Sequence, residues 1–239
     1  MAKVVILSGA GISAESGIST FRASDGLWNN HKIEEICIAG CMSFNRAKTV
    51  AFYDDLRTSL KAKLPNKAHI EIAKLTCKYP NDISVITQNI DDLFEKADCK
   101  NLIHLHGFLP ELYCEHCGEM VAIEYQKQYD AYDVCPNCNK DKLRPNIVFF
   151  HEQAPMYKNL YEQMEDCEVF VVIGTSGNVI NTDMFLNPKI KLSILNNLEH
   201  SSSINDGLYT KAIFKPATQA IDEIIEMVEK FLSKVDNQY

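Results

Sequence analysis

The sequence predicts an α/β fold in which a parallel β-sheet carries helices on both faces and a smaller domain lies beside it. Five short apolar runs are each followed by small or polar residues, and helical patterns separate several of them. The runs cover residues 4–7, 83–86, 102–105, 169–173 and 192–195. Because the carboxyl ends of parallel strands lie at one edge of a sheet, the polar residues after these runs should converge on one site.

Two helices are predicted from the spacing of apolar residues. Residues 43–61 place Phe44, Val50 and Leu60 at mostly helical intervals. A regular apolar stripe from Ile221 to Val235 predicts an amphipathic helix near the C-terminus.

Two segments depart from the alternation of strands and helices. Residues 23–63 contain no strong strand pattern, and residues 111–144 are rich in Cys, Tyr, Asp, Asn and Lys. We interpret both as inserts that form a small domain, a helical insert plus a cysteine-rich module. The predicted main domain is discontinuous and covers 1–28, 64–110 and 145–239, and the small domain covers 29–63 and 111–144.

Charge and hydropathy limit the partners that we expect. The 239-residue chain has a formal net charge of −8, which argues against a sequence-independent grip on nucleic acid, since that needs clustered Lys and Arg. The apolar runs are too short to span a bilayer, and the first one begins too early to leave room for a signal peptide. We therefore expect a cytoplasmic protein that acts as a monomer, with no direct contact to nucleic acid or membrane.

Four of the nine cysteines form two C-x-x-C pairs, Cys114 with Cys117 and Cys135 with Cys138. Two such pairs can place four thiolates around one Zn²⁺ in a closed tetrahedral site, which has no open position for catalysis. We therefore predict one structural zinc ion. An odd number of cysteines argues against a disulfide framework, and the remaining five are predicted to be buried free thiols: Cys37, Cys41, Cys77, Cys99 and Cys167.

A glycine-rich loop follows the first apolar run. Gly9, Gly11 and Ala14 match the G-x-G-x-x-A form of the dinucleotide-binding fingerprint, which predicts a Rossmann-like domain with a phosphate-bearing ligand. In a dehydrogenase, a helix and a second strand ending in Asp or Glu would follow within about 20 residues. No such strand follows here, so the loop is predicted to bind phosphates outside the dehydrogenase pattern.

Several motifs along nearly the whole chain resemble, in the same order, those of the sirtuin family. They are the run Gly-Ala-Gly-Ile-Ser-Ala-Glu-Ser-Gly-Ile-Ser-Thr-Phe-Arg at 9–22, Thr-Gln-Asn-Ile-Asp at 87–91, His-Leu-His-Gly at 104–107, the two C-x-x-C pairs, Leu-Arg-Pro-Asn-Ile-Val-Phe-Phe at 143–150, Gly-Thr-Ser at 174–176 and Asn-Leu-Glu at 197–199. Sirtuins are NAD-dependent protein lysine deacylases, so the resemblance implies NAD as co-substrate and acyl-lysine-bearing proteins as partners.

The resemblance also implies roles for individual residues. The glycine loop and Arg22 would hold the pyrophosphate, whereas Asn89 and Asp91 would bind the nicotinamide carboxamide. Phe21 would shield the reactive ribose. The residues expected to contact NAD are Gly9, Ala10, Gly11, Glu15, Phe21, Arg22, Trp28, Gln88, Asn89, Asp91, Gly174, Thr175, Ser176, Asn197 and Ala217.

His106 would be the catalytic general base in such an enzyme. The acyl oxygen of the modified lysine would attack C1′ of the ribose and release nicotinamide. His106 would then accept a proton from a ribose hydroxyl, giving free lysine and O-acyl-ADP-ribose as further products. A neutral imidazole suits this task. His104, two residues earlier on the same strand face, is the alternative base.

The residues expected to bind the acylated peptide are Tyr53, Arg57, Val148 and Phe150. Family members that remove succinyl or malonyl groups hold the acyl carboxylate with a Tyr-x-x-Arg pair. In this chain Leu56 occupies the arginine position and Arg57 follows it. Either Arg57 substitutes, since it shares a helix face with Tyr53, or Leu56 lines an apolar acyl pocket and Arg57 lies in solvent.

Three further positions depart from the family pattern. Ser19 and Asn181 stand where proline is usual, and His151 replaces a glycine next to the expected peptide-binding segment.

Other activities of the same fold remain alternatives. An ADP-ribosyltransferase or an NAD hydrolase would use a similar site, and a non-enzymatic sensor of NAD would not need His106.

Overall fold

The computed structural model describes residues 3–20 and 33–236. Its strands are β1 (Val4–Ser8), β2 (Ile83–Thr87), β3 (Leu102–His104), β4 (Gly107–Cys114), β5 (Met120–Ala122), β6 (Leu143–Ile147), β7 (Val169–Ile173), β8 (Leu192–Asn197) and β9 (Lys211–Phe214). The α-helices are α1 (Ile33–Ile36), α2 (Cys41–Phe44), α3 (Arg46–Leu60), α4 (Lys67–Lys78), α5 (Leu93–Lys96), α6 (Gln128–Ala131), α7 (Tyr157–Met164) and α8 (Ala217–Asp236). Short 3₁₀ helices cover Ala10–Ile12, Ala14–Ser16, Thr182–Phe185 and Asp206–Leu208.

Six parallel strands form the main sheet in the order β3-β2-β1-β7-β8-β9. The predicted α/β fold with a parallel sheet is confirmed, and each of the five apolar runs contributes a strand. The sixth strand, β9, was not predicted, because only Ile213 in it is buried. The first strand β1 pairs with β2 on one side and with β7 on the other, so the strand order reverses around β1, and ligands of such sheets bind beside this point.

Side chains of β1 alternate between two apolar layers. Val4 and Ile6 pack in the layer that includes residues of α4 and α8, whereas Val5 and Leu7 pack in the layer that includes residues of α7. All four side chains are fully buried. Burial on both faces explains why β1 is a continuous apolar run rather than an alternating one.

The smaller part of the molecule contains the antiparallel sheet β5-β4-β6 and the helices α1–α3. The predicted helix over 43–61 is divided at Asn45 into α2 and α3. The predicted domain boundaries after residues 110 and 144 fall inside β4 and β6, so both strands run from one predicted domain into the other. The division into domains stays a prediction.

Within the described residues, no helix has both the length and the apolar character needed to cross a membrane. The nine cysteines are all free thiols. Of the five unpaired cysteines, Cys37, Cys41 and Cys167 are buried as predicted, whereas Cys99 is only half-buried and the prediction is wrong for Cys77, which is exposed on α4.

Candidate active site

The glycine loop packs directly against the turn that follows β7. The amide of Gly9 donates to the carbonyl of Ile173 at 2.9 Å, and that of Gly11 donates to the carbonyl of Gly174 at 2.8 Å. A Cβ atom on Gly11 would lie 2.7 Å from the Cα of Gly174. Because the two backbone segments are in contact, no side chain fits at Gly9 or Gly11. The structure thus brings together three glycines predicted to bind NAD, Gly9, Gly11 and Gly174.

A hydrogen-bonded group of polar side chains lies beneath this loop. Asn89 donates to the hydroxyl of Ser13 at 3.0 Å and to the carbonyl of Gly9 at 3.2 Å, and Ser13 donates to Asp91 at 2.9 Å. Burial raises the pKa of Asp91, although hydrogen bonds from Leu93 and Ser13 oppose the shift. The predicted pair Asn89 and Asp91 is therefore held in a fixed orientation.

Sequence reasoning missed two members of this group. Ser13 is buried within the loop, and His69 of α4 lies 3.5 Å from its hydroxyl. Burial lowers the pKa of His69 to about 4, so its ring is neutral at physiological pH. The polar side chain of Ser13 inside the glycine motif was an available signal, whereas nothing in the sequence around His69 marked it.

The predicted residues after β7 lie beside those after β2. Gln88 donates to the hydroxyl of Thr175 at 3.2 Å, and the carbonyl of Ser176 accepts from Ser201 at 2.6 Å. The carboxyl ends of β2 and β7 therefore lie side by side at the same edge of the sheet, as expected for parallel strands.

Two further predicted contacts lie towards α8. The carboxylate of Glu15 accepts hydrogen bonds from the amide and hydroxyl of Thr218, at 3.0 and 2.6 Å, next to Ala217 at the start of α8. Asn197 ends β8, and its carbonyl accepts from the amide of Lys215 at 3.1 Å. Glu15 of the glycine loop and Asn197 at the end of β8 are thus both bonded to residues at or next to the N-terminus of α8.

His106 lies between β3 and β4, where Gly107 adopts a φ of +92°. A Cβ on Gly107 would lie 2.1 Å from the carbonyl oxygen of Asn146. Only glycine permits this turn, which explains the His-Gly pair. The Nδ1 atom of His106 lies 2.9 Å from the carbonyl oxygen of Gln88, and its Nε2 atom lies 3.1 Å from the hydroxyl of Tyr157. Sequence reasoning missed Tyr157.

The two histidines flanking Leu105 have opposite electrostatic environments. Burial lowers the pKa of His106, and the hydrogen bond to Gln88 only partly offsets it. Burial also acts to lower the pKa of His104, but the hydrogen bond to Glu95 at 2.6 Å, the charge of that carboxylate and the Asn89 carbonyl together outweigh burial and raise the pKa. Of the two, His106 is the better general base, because its ring stays neutral.

The predicted peptide-binding segment follows β6 and lies next to His106. The amide of Val148 donates to the carbonyl of His106 at 2.9 Å, and the amide of Phe150 donates to the carbonyl of Cys37 at 2.7 Å. The side chain of Phe150 is exposed. His151 has a φ of +69°, the left-handed conformation that glycine adopts without strain.

The two predicted acyl-binding residues of α3 have separate partners. The hydroxyl of Tyr53 lies 3.2 Å from the Sγ atom of Cys37, and its ring packs on Phe149. The guanidinium of Arg57 is fully buried, pairs with Asp54 and donates to the carbonyl of Leu109 at 2.8 Å. The structure therefore does not join Tyr53 and Arg57 into one binding pair, and the alternative expectation that Arg57 lies in solvent is wrong.

The four cysteines of the two C-x-x-C pairs converge, with all Sγ atoms within 4.8 Å of one another. The Sγ atoms of Cys114 and Cys138 are 3.7 Å apart, as are those of Cys117 and Cys135. A tetrahedron with Zn–S bonds of about 2.3 Å has edges of about 3.8 Å, so the geometry fits one zinc ion. His116, which lies between Cys114 and Cys117 in the sequence, is not a member of this cluster.

Three of the predicted NAD-binding residues, Phe21, Arg22 and Trp28, lie outside the described residues.

Comparison with known proteins agrees with this geometry. Residues 9–181 match the sequence model of the Sir2 family. The chain belongs to the Sir2 family. The predicted resemblance to the sirtuins is therefore confirmed.

Relatives match over nearly the whole chain. A protein of Campylobacter jejuni (strain RM1221) named NAD-dependent protein deacylase is 43% identical over 232 residues, which is 97% of this chain and 98% of the relative. A protein of Helicobacter hepaticus with the same name is 38% identical over 254 residues, covering 97% and 99% of the two chains.

Solved Sir2 structures have the same fold. A Sir2 homologue in complex with NAD superimposes with a TM-score of 0.82 at 31% identity, covering 96% of this chain and 90% of that one. A Sir2 structure with a deacetylated p53 peptide and 3′-O-acetyl ADP ribose superimposes with a TM-score of 0.79 at 26% identity, covering 94% and 92%.

Proposed function

We propose that this Sir2-family chain is an NAD-dependent protein lysine deacylase that moves the acyl group of a modified lysine onto ADP-ribose and releases nicotinamide. One observation carries the proposal. His106, a neutral and partly buried histidine, is hydrogen-bonded to the carbonyl of Gln88. Gln88 directly precedes Asn89, which belongs with Asp91 to one hydrogen-bonded group. A general base and a polar pocket for a carboxamide are thus adjacent at the carboxyl edge of the sheet.

The glycine loop supplies backbone amides and close approach for the NAD pyrophosphate. Asn89 and Asp91 would orient the carboxamide, and their shared partner Ser13 keeps both from rotating. Gln88, Thr175 and Ser176 would face the ribose and phosphate groups, while Ala217 and Asn197 would lie at the adenosine end.

His106 would accept the proton of a ribose hydroxyl at Nε2. Its Nδ1 atom must carry the hydrogen, because the Gln88 carbonyl can only accept one. The lowered pKa keeps Nε2 unprotonated at neutral pH, so the base is ready before substrate arrives.

The zinc ion would be held by Cys114, Cys117, Cys135 and Cys138. It would supply folding free energy to a module with a small apolar core. A closed four-sulfur site offers no position for substrate, so the metal has no role in the acyl transfer.

The substrate is proposed to be an acylated protein rather than NAD alone. The amide of Val148 bonds to the carbonyl of His106, which places the segment before exposed Phe150 beside the base. The deacylase names of the relatives and the peptide-bound Sir2 structure support this over an NAD hydrolase or ADP-ribosyltransferase.

We further propose that uncharged acyl groups such as acetyl are preferred over succinyl. The guanidinium of Arg57 has no exposed surface and is already paired with Asp54 and the Leu109 carbonyl, although its Nη2 atom has no partner among the described residues. An incoming carboxylate would therefore have to enter a buried site in which the charge of Arg57 is already neutralised. Leu56 then stands at the arginine position of the Tyr-x-x-Arg pair as an apolar side chain.

Mass spectrometry of one peptide, offered in lysine-acetylated and lysine-succinylated forms with NAD, tests both proposals. We expect faster loss of acetyl, with an equal yield of O-acetyl-ADP-ribose. His106→Ala should lower the rate about 100- to 10,000-fold, whereas His200→Ala, at an exposed histidine, should not. NAD consumption without deacylation would contradict the function, and faster loss of succinyl would contradict the acyl preference alone.

The setting of this activity is also part of the proposal. We infer a cytoplasmic monomer that acts on acyl-lysine-bearing proteins and does not bind nucleic acid or membrane directly, in line with the net charge of −8.

A further inference from the structure

Tyr157 is the first residue of α7 and follows the segment proposed to bind the acylated peptide. Its hydroxyl lies 3.1 Å from the Nε2 atom of His106, and the two rings have centroids 5.9 Å apart. The ring of Tyr157 packs against the apolar layer that contains Leu160 and Phe185. The hydroxyl is therefore held in place by the packing of α7 against the sheet.

The direction of this hydrogen bond follows from the chemistry of the two rings. Nδ1 of His106 carries the hydrogen that the Gln88 carbonyl accepts. In the neutral ring Nε2 then has a free lone pair, and the phenol of Tyr157 donates to it. Burial raises the pKa of Tyr157, with a smaller contribution from Tyr161, so the phenol keeps its proton at physiological pH.

Burial lowers the pKa of His106 and the hydrogen bond to the Gln88 carbonyl opposes the shift, and no charged side chain of the described residues acts on the ring. The ring contacts the Gln88 carbonyl after β2 and Tyr157 on α7, while Val148 after β6 bonds to the backbone carbonyl of His106. Of these three residues only Tyr157 is titratable. A donor to the neutral form of an imidazole favours that form.

We propose that Tyr157 is a positioning residue that occupies Nε2 of His106 in the free enzyme, keeps the ring neutral, and gives up this place to the ribose hydroxyl when NAD binds. The inference rests on His106 as the general base of the proposed function. The phenol and the ribose hydroxyl are both O–H donors, so one replaces the other at Nε2 without a change in the protonation of the ring. Because the Tyr157 phenol leaves only when the ribose hydroxyl arrives, Nε2 of His106 stays unprotonated until its substrate hydroxyl is bound.

The test compares Tyr157→Phe with the wild type in two measurements. In the first, proton–nitrogen NMR of ¹⁵N-histidine-labelled protein without substrates follows the titration of His106, assigned by the signal that is absent in His106→Ala. We expect the Nδ1–H form in the wild type and a rise in the His106 pKa of about 0.5 to 1 unit in Tyr157→Phe, the size expected for one lost hydrogen bond.

The second measurement is the pH profile of peptide deacylation. The acidic limb of kcat/KM reports the free enzyme and that of kcat reports the substrate complex. In Tyr157→Phe the kcat/KM limb should move to higher pH by the same amount, while the kcat limb stays in place. Tyr161→Phe is the matched control, since Tyr161 lies on the same helix but is exposed and packs on Phe185.

Two outcomes would overturn the proposal. An unchanged His106 titration would mean that the phenol does not hold Nε2. A kcat that falls at every pH, with both limbs displaced, would mean that Tyr157 stays bound to the base during the reaction. A third outcome separates this proposal from the proposed function. If the wild type does not deacylate the peptide but the His106 pKa rises in Tyr157→Phe as expected, the proposed function is refuted and the contact between Tyr157 and His106 is established.

Discussion

Replacing Asp54 with alanine removes one half of a buried ion pair that joins α3 to the cysteine-rich module. Asp54 pairs with Arg57, whose side chain has no exposed surface. Both oxygens of Asp54 also lie 3.0 Å from the amide of Gln128 at the start of α6. The carboxylate therefore links the helical insert to the module that holds the four cysteines.

The magnitude follows from the cost of burying each charge. Burial raises the pKa of Asp54 and lowers that of Arg57, and in each case the partner only partly compensates. The pair as a whole therefore adds little stability, but an unpaired buried guanidinium costs about 3–5 kcal/mol. Typical domains have only about 5–15 kcal/mol of unfolding free energy, so Asp54→Ala should lose a large fraction of the total.

Urea unfolding followed by circular dichroism measures this loss. The double variant Asp54→Ala/Arg57→Met removes both buried charges and should recover at least about 2 kcal/mol of the loss. The exposed neighbour Asp55 provides a control, because Asp55→Ala should change the unfolding free energy by less than about 0.5 kcal/mol. A loss below about 1 kcal/mol in Asp54→Ala would refute the argument that Arg57 is committed to Asp54.

Four further outcomes are expected. Cys117→Ser, or treatment with a strong chelator, should release one zinc ion per chain by metal analysis and unfold the module, seen as lost circular dichroism. Gly11→Ala should abolish NAD binding in calorimetry, because its Cβ would lie 2.7 Å from backbone. His151→Gly should raise the unfolding free energy by about 0.5–1 kcal/mol, since the left-handed φ of +69° strains a side chain. For Glu152, burial acts to raise the pKa, but hydrogen bonds from Arg144 and Phe149 outweigh it and lower the pKa below its ordinary 4.5. The ionised carboxylate therefore stabilises the fold above pH 4.5, and this contribution is lost as the pH falls through the lowered pKa. In urea titrations, Glu152→Gln should make the unfolding free energy depend less on pH between about pH 5 and 3.

The main sheet could be predicted because its strands are buried on both faces. Continuous apolar runs such as Val169–Ile173 then mark strands without help from tertiary contacts. By contrast, β9 has one buried side chain, Ile213, so its pairing with β8 is not marked by an apolar pattern of its own. The break between α2 and α3 at Asn45 was equally hidden, because apolar spacing continues across it.

For the site, the sequence predicted residues that lie in motifs and missed those that support them from a distance. Ser13 was within a quoted motif, but its role depends on Asp91, 78 positions away. Tyr157 touches His106 across 51 positions, and no local pattern encodes such a contact. The position of Arg57 shows the same limit, because helical spacing placed it near Tyr53 while Asp54 and the Leu109 carbonyl decide where its guanidinium lies.

The cysteine cluster and His106 are linked through one strand. Strand β4 begins at Gly107, directly after the histidine, and ends at Cys114, so the two sites lie at opposite ends of about 25 Å of extended chain. Strand β6 pairs with β4 at both ends, Cys114 with Leu143 and Gly107 with Ile147, and then leads into Val148, whose amide bonds to the His106 carbonyl. Loss of the metal would release one end of this ladder, and the other end positions both His106 and the segment proposed to bind the peptide. We therefore expect loss of zinc to lower deacylation without any contact between metal and substrate, because the strands that the zinc site anchors also hold the histidine proposed as general base.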